Sequence, residues 1–169
     1  MSRTRIIPLL LSLALLAGCG GREAGPALTA EERTQLYKTA IENARDAETN
    51  EAMPVLTDGD GEQLTLYLDL LGLNADDMEA FALSASLMNV RAYGIAAVYP
   101  ADGRESAVKE GLEGFIDRQM QSFEQYLADQ YDVASKARLE ILTDGTVLLV
   151  MCQDQDTVYD AIRETIEGA

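Results

Sequence analysis

The apolar positions begin with a run over residues 6–16, interrupted only by Pro8 and Ser12, preceded by Arg3 and Arg5 and followed by the small residues Ala17 and Gly18. A basic start, a short apolar run and small residues in that order predict a secretory signal, because the run falls short of the roughly 20 apolar residues of a membrane span. After it the pattern becomes helical. Leu36, Tyr37, Ala40, Ile41 and Ala44 recur at three and four behind Thr29-Ala30-Glu31-Glu32, which has capping-box spacing, so a helix is expected over about 30–47. Asp58-Gly59-Asp60-Gly61 is turn chemistry. Leu64, Tyr67, Leu68 and Leu71 then predict a short helix that Gly72 ends, and Asn74 is expected to cap a further turn or two through Met78 to about Ala82.

Residues 83–90 and 93–99 are small, β-branched or aromatic and almost free of charge, which predicts two buried strands, the second stopped by Pro100 and Asp102-Gly103. Val108, Leu112, Phe115, Ile116, Met120, Phe123, Tyr126 and Leu127 predict a long amphipathic helix over about 105–129 that covers a sheet face. Leu139 and Ile141 alternate with polar neighbours, Asp144-Gly145 marks a hairpin turn, and Val147 to Met151 returns as a more buried strand, giving strands at about 138–143 and 146–152. Asp154 or Asp156 caps a last helix carrying Val158, Ile162 and Ile166. The expected class is α+β: an antiparallel sheet of about four strands with the long helix and the C-terminal helix packed on it. The expected organisation is a signal over 1–18, a tether over 19–28 and a single domain over 29–169.

Leu16-Ala17-Gly18-Cys19 resembles the lipobox of bacterial lipoproteins. The resemblance implies that Cys19 carries a diacylglyceryl group and becomes the mature N-terminus. Its partner is then the membrane, and the expected location is the extracytoplasmic side of the cell membrane. Two acyl chains hold a protein far more durably than one. Residues 20–27 are rich in Gly and Ala with Pro26, and read as a flexible tether. With Cys19 lipidated, Cys152 is the one remaining thiol and no intramolecular disulfide forms; at the end of an apolar run it reads as a small core residue.

Composition removes whole classes of function. The formal charge is −16, and loss of Arg3 and Arg5 with the leader lowers it by two, to −18. A nucleic-acid partner needs a basic face and is excluded on that ground. There is no His and no Trp, so imidazole bases, Ser-His or Cys-His nucleophile pairs and the usual His-containing zinc sites are absent. No cofactor motif occurs.

The segment 46–90 holds ten acids and no Lys or Arg. Asp58, Asp60, Glu62, Asp69, Asp76, Asp77 and Glu79 within it form a candidate face for a basic protein or a cation. Asp58, Asp60 and Glu62 alternate as a calcium loop begins, but Gln63 stands where such a loop needs Gly, and Asp69 where it needs a bidentate Glu. Ser106-Ala107-Val108-Lys109 has Ser-x-x-Lys spacing, without the companion elements a penicillin-binding enzyme requires.

The order of elements resembles the bacterial lipoproteins of the Domain of Unknown Function 4358 family. The residues that carry the resemblance are the Cys19 lipobox, Tyr67-Leu68-Asp69-Leu70-Leu71-Gly72-Leu73-Asn74, Leu87-Met88-Asn89-Val90 leading into Gly94-Ile95-Ala96-Ala97-Val98, and Gln125-Tyr126-Leu127 with Gln130-Tyr131. The family has no established activity, so the resemblance implies location and fold and no mechanism. The expectation is a non-enzymatic binding or structural module at the cell surface. The alternatives are a carboxylate-based envelope hydrolase, which needs two acids facing each other across a cleft, and a weak calcium-binding surface protein.

Overall fold

The computed structural model describes residues 28–57 and 61–169. The signal, Cys19, the tether up to residue 27, Asp58 and Asp60 lie outside the described residues.

The first helix, α1 (Ala30–Asn43), starts at the expected capping box: the Glu32 amide donates to Thr29 Oγ1 and the Thr29 amide to Glu32 Oε2. It ends before the expected boundary because Asp46 opens a new helix, α2 (Ala47–Ala52), by accepting from the Thr49 amide at 2.6 Å. Helix α3 (Glu62–Leu71) stops at Gly72, whose φ of 72° is the left-handed cap expected there. The helix expected after Asn74 is only a single 3₁₀ turn, Ala75–Asp77, and the chain is already extended by Met78.

Strand β1 (Met78–Ala85) therefore begins and ends about five residues before its expected position. The reason lies in its partner. Strand β2 (Gly94–Pro100) begins at Gly94, and the Ser86 amide closes the hairpin on the Tyr93 carbonyl. Residues 87–91 must then form the connection, and Leu87, Met88 and Val90 are more than half exposed.

Helix α4 (Glu105–Phe123) ends earlier than the expected 129. The amides of Tyr126 and Leu127 both turn back onto the Phe123 carbonyl, and α5 (Ala128–Ser135) follows. Tyr126, expected in the core, is 86% exposed. The hairpin of β3 (Arg138–Ile141) and β4 (Val147–Met151) turns through Asp144-Gly145, and α6 (Gln155–Glu167) completes the chain. No helix among the described residues is long and apolar enough to cross a membrane.

The strands form one antiparallel sheet in the order β1-β2-β4-β3, so the α+β class holds. Both faces are covered. Ala80, Ala82, Ile95, Ala97, Leu148 and Val150 face a core closed by α1 and α6. Leu83, Ala85, Ala96, Val98, Leu149 and Met151 face a second core closed by α3, α4 and α5. Burial on both sides explains why the central strands read as continuous apolar runs rather than alternating ones. Gly94 is required at the second core, where a Cβ would stand 2.6 Å from the Phe115 ring.

Candidate functional site

Four separated segments meet at the end of the sheet where β2 begins and β4 ends. Gly94 pairs with Met151 there, so Arg91-Ala92-Tyr93 enters beside Cys152-Gln153-Asp154 as it leaves. The turn between α1 and α2 closes one side. Helix α5 closes another, held by Gln130, whose Oε1 accepts from the Ala92 amide at 2.8 Å. The cavity between them, about half open to solvent, is about 590 Å³ and is lined chiefly by polar side chains, a size suited to a small molecule.

Arg45, in the α1–α2 turn, is the cation built most firmly into this cavity. Its Nη1 donates to Ser84 Oγ at 2.9 Å, Tyr93 Oη at 2.5 Å and the Met53 carbonyl at 3.1 Å, and its Nη2 donates to Asn50 Oδ1 at 2.6 Å. Asn50 is fixed in turn by donating to the Glu42 carbonyl. Arg91 lines the same cavity from an exposed position. The carboxylates of Asp46, Asp129 and Asp154 also line it, all on exposed residues.

Four of the titrating groups around the cavity are shifted from their ordinary values. The amide and hydroxyl of Thr49 hold the Asp46 carboxyl below its ordinary value, and the Gln130 side chain does the same for Asp129. Burial pushes the Cys152 thiol up to about 11 and raises the Tyr93 phenol. Cys152 is accordingly a protonated, buried thiol at the cavity wall.

Of the acids expected to form a cationic-partner face, those among the described residues, Glu62, Asp69, Asp76, Asp77 and Glu79, do not line this cavity. Glu62, Asp69, Asp76 and Glu79 are exposed on α3, the 3₁₀ turn and β1. Asp77 departs from the expected face: it is 7% exposed and its carboxylate is paired with Arg104, so it holds the start of β1 to the turn before α4. No group of three or more Cys, Asp or Glu among the described residues is placed to hold a metal. The calcium-loop spacing fails structurally as well, because its second half is the helix α3. Lys109 of the Ser-x-x-Lys sequence pairs with Glu113 on the exposed side of α4.

Sequence reasoning missed Arg45 and Arg91. A signal was present: these are the two cations that bound the cation-free segment 46–90, and the fold brings both ends of that segment to one cavity.

A second polar cluster, at the opposite end of the sheet, has a structural task. Arg33 pairs with Asp144 at 2.6 Å and stacks 3.9 Å over the Tyr99 ring, and Tyr37 Oη lies 2.5 Å from Thr146 Oγ1. These contacts tie α1 to the β3–β4 turn.

Comparison with known proteins gives one family: a model described as Domain of unknown function (DUF4358) matches residues 55–152. No curated protein and no solved structure matches the chain.

Proposed function

Because the chain belongs to the DUF4358 family, whose description assigns no activity, we propose its function from the cavity: the protein is a lipid-anchored, extracytoplasmic binding module that holds a small ligand at the α1–α2 turn without converting it. The observation that carries this reading is geometric: a cavity of about 590 Å³ lined chiefly by polar side chains, with Arg45 fixed in its wall by four hydrogen bonds. The sequence holds no His to serve as an acid or base near neutral pH, which supports holding a ligand over converting it. The lipobox at Cys19 supports the anchor and the side of the membrane.

Two measurements test the reading. Mass spectrometry of the mature N-terminus should find Cys19 carrying a diacylglyceryl group; an unmodified Cys19, or cleavage elsewhere, overturns the anchor. The detergent-solubilised mature protein should melt higher in a low-mass extract of the cell envelope, by several degrees if a ligand is present at about a hundred times its Kd. The composition of the extract should stay constant over the incubation. A product that accumulates would overturn the non-enzymatic reading, and an unchanged melting temperature would overturn binding.

A further inference from the structure

Among the described residues the charge on Arg45 makes no direct ion pair, although the neighbouring Asp46 carboxyl feels it through space. Every acceptor of its four hydrogen bonds is neutral, and its Nε is shut off from solvent with no partner among the described residues. The ion pairs among those residues engage Arg33, Arg104, Lys109, Lys136, Arg138 and Arg163, and neither Arg45 nor Arg91. A guanidinium drawn from bulk water onto neutral oxygens forfeits part of its hydration, and an arriving carboxylate gives it a charged partner through the second Nη2 hydrogen, which the four bonds leave unused.

The remaining lining limits what such a ligand is. Asp46, Asp129 and Asp154 stand on exposed residues of the same cavity and repel a multiply charged anion such as phosphate, while Arg45 and Arg91 repel a simple cation. A molecule carrying one carboxylate and one ammonium satisfies both sets. We propose that the cavity binds a small zwitterion, a free amino acid or short peptide, with its carboxylate on Arg45 and Arg91 and its ammonium toward the exposed aspartates. The proposal rests on the reading of this cavity as a ligand site and names the ligand class.

Titration calorimetry on the detergent-solubilised mature protein tests it with triglycine, triglycine amide, N-acetyltriglycine, glycine and acetate. Triglycine or glycine should bind, with the tighter of the two identifying peptide or free amino acid as the source. The amide, which lacks the carboxylate, should bind at least about tenfold more weakly than triglycine, and the acetylated peptide should also weaken. Arg91→Gln, at an exposed residue outside the ion pairs, should weaken zwitterion binding about tenfold while leaving the melting temperature of the unliganded protein unchanged. Asp129→Asn should weaken the zwitterion and not acetate. Failure of both glycine and triglycine to bind at millimolar concentration, or an amide that binds as tightly as the free acid, overturns the proposal. An envelope extract that still raises the melting temperature in that case leaves the binding module standing with a different ligand.

Discussion

Replacing Gly111 by alanine should destabilise the protein, although helix propensity alone predicts the opposite. Gly111 lies within α4, where alanine is favoured over glycine by about 0.5–1 kcal/mol. The structure places its Cα side against the end of α3. An added Cβ would stand 2.0 Å from the Gly72 carbonyl oxygen and 2.9 Å from its carbon. Ordinary contact begins at 3.4 Å, so the two backbones must part by about 1.4 Å. The obstacle is main chain, and it is held: Gly72 is the left-handed cap of α3, the Leu73 amide bonds back to the Leu68 carbonyl, and Arg118 Nη2 donates to the Leu70 carbonyl at 2.9 Å. Separation would also loosen Leu71 and Leu112, both fully buried. Overpacking of this kind costs about 1–3 kcal/mol, which leaves about 0–2.5 kcal/mol after the propensity gain. A main-chain obstacle held in these three ways puts the net loss in the upper part of that range, about 1–2 kcal/mol. The expected fall in melting temperature is about 2–8 °C. Gly114, one turn along α4, is the control. Its added Cβ meets only the end of the Arg118 side chain, at 3.2 Å, so Gly114→Ala should be neutral or stabilising by up to about 1 kcal/mol. Urea and thermal denaturation followed by circular dichroism measure both variants. Equal stabilisation by the two substitutions refutes the close approach of α3 and α4.

Phe115→Ala and Phe123→Ala should each cost about 3–5 kcal/mol in urea unfolding, since both rings are buried beneath α4; a loss below about 1 kcal/mol in both would place that helix face in solvent. Stability should fall in alkali, because burial raises the Cys152 thiol from 9.0 to about 11 and the Tyr37 phenol from 10.0 to about 12. The unfolded chain releases these protons first, so the contribution is intact below about pH 9 and is lost as pH rises through the folded values. A urea midpoint that holds constant from about pH 8 to about pH 10.5 contradicts this, and Cys152→Ala combined with Tyr37→Phe should flatten the decline. Tyr37→Phe alone should cost about 1 kcal/mol at neutral pH, because Thr146 Oγ1 keeps its bond to Asp144; a loss above about 3 kcal/mol would mean that the phenol does more than join α1 to the turn.

Elements whose cause is local were legible in the sequence. The Thr29-Glu32 box, the Gly72 cap and the Asp144-Gly145 turn are decided by residues within a few positions of one another, and each stands where it was expected. Errors arose where a distant partner decides. Glu79 and the alanines around it read as the end of a helix, yet β2 draws Met78–Ala85 into the sheet because alternate residues of that stretch fill two different cores. The break between α4 and α5 carries no Gly or Pro. The apolar spacing runs through it to Tyr126 and Leu127, and only the reversal at Phe123 separates the two helices.

The cavity was hidden for a related reason. Net charge is a sum, and a sum of −16 directs attention to the acids. A ligand responds to position. Six of the ten cations among the described residues spend their charge on a carboxylate, as Arg33 does on Asp144 and Arg104 on Asp77. Arg45 instead is held by a carbonyl, two hydroxyls and an amide, which fix its plane without neutralising it. The nearby carboxylates form no direct pair with it: that of Asp46 accepts from the Thr49 amide while feeling the Arg45 charge through space, and that of Asp129 accepts from the Gln130 side chain. The neutral acceptors come from Asn50, Met53, Ser84 and Tyr93, three separate parts of the sequence, so the isolation of Arg45 exists only after folding. For that reason the site is a property of the sheet end where those segments meet, and no run of residues states it.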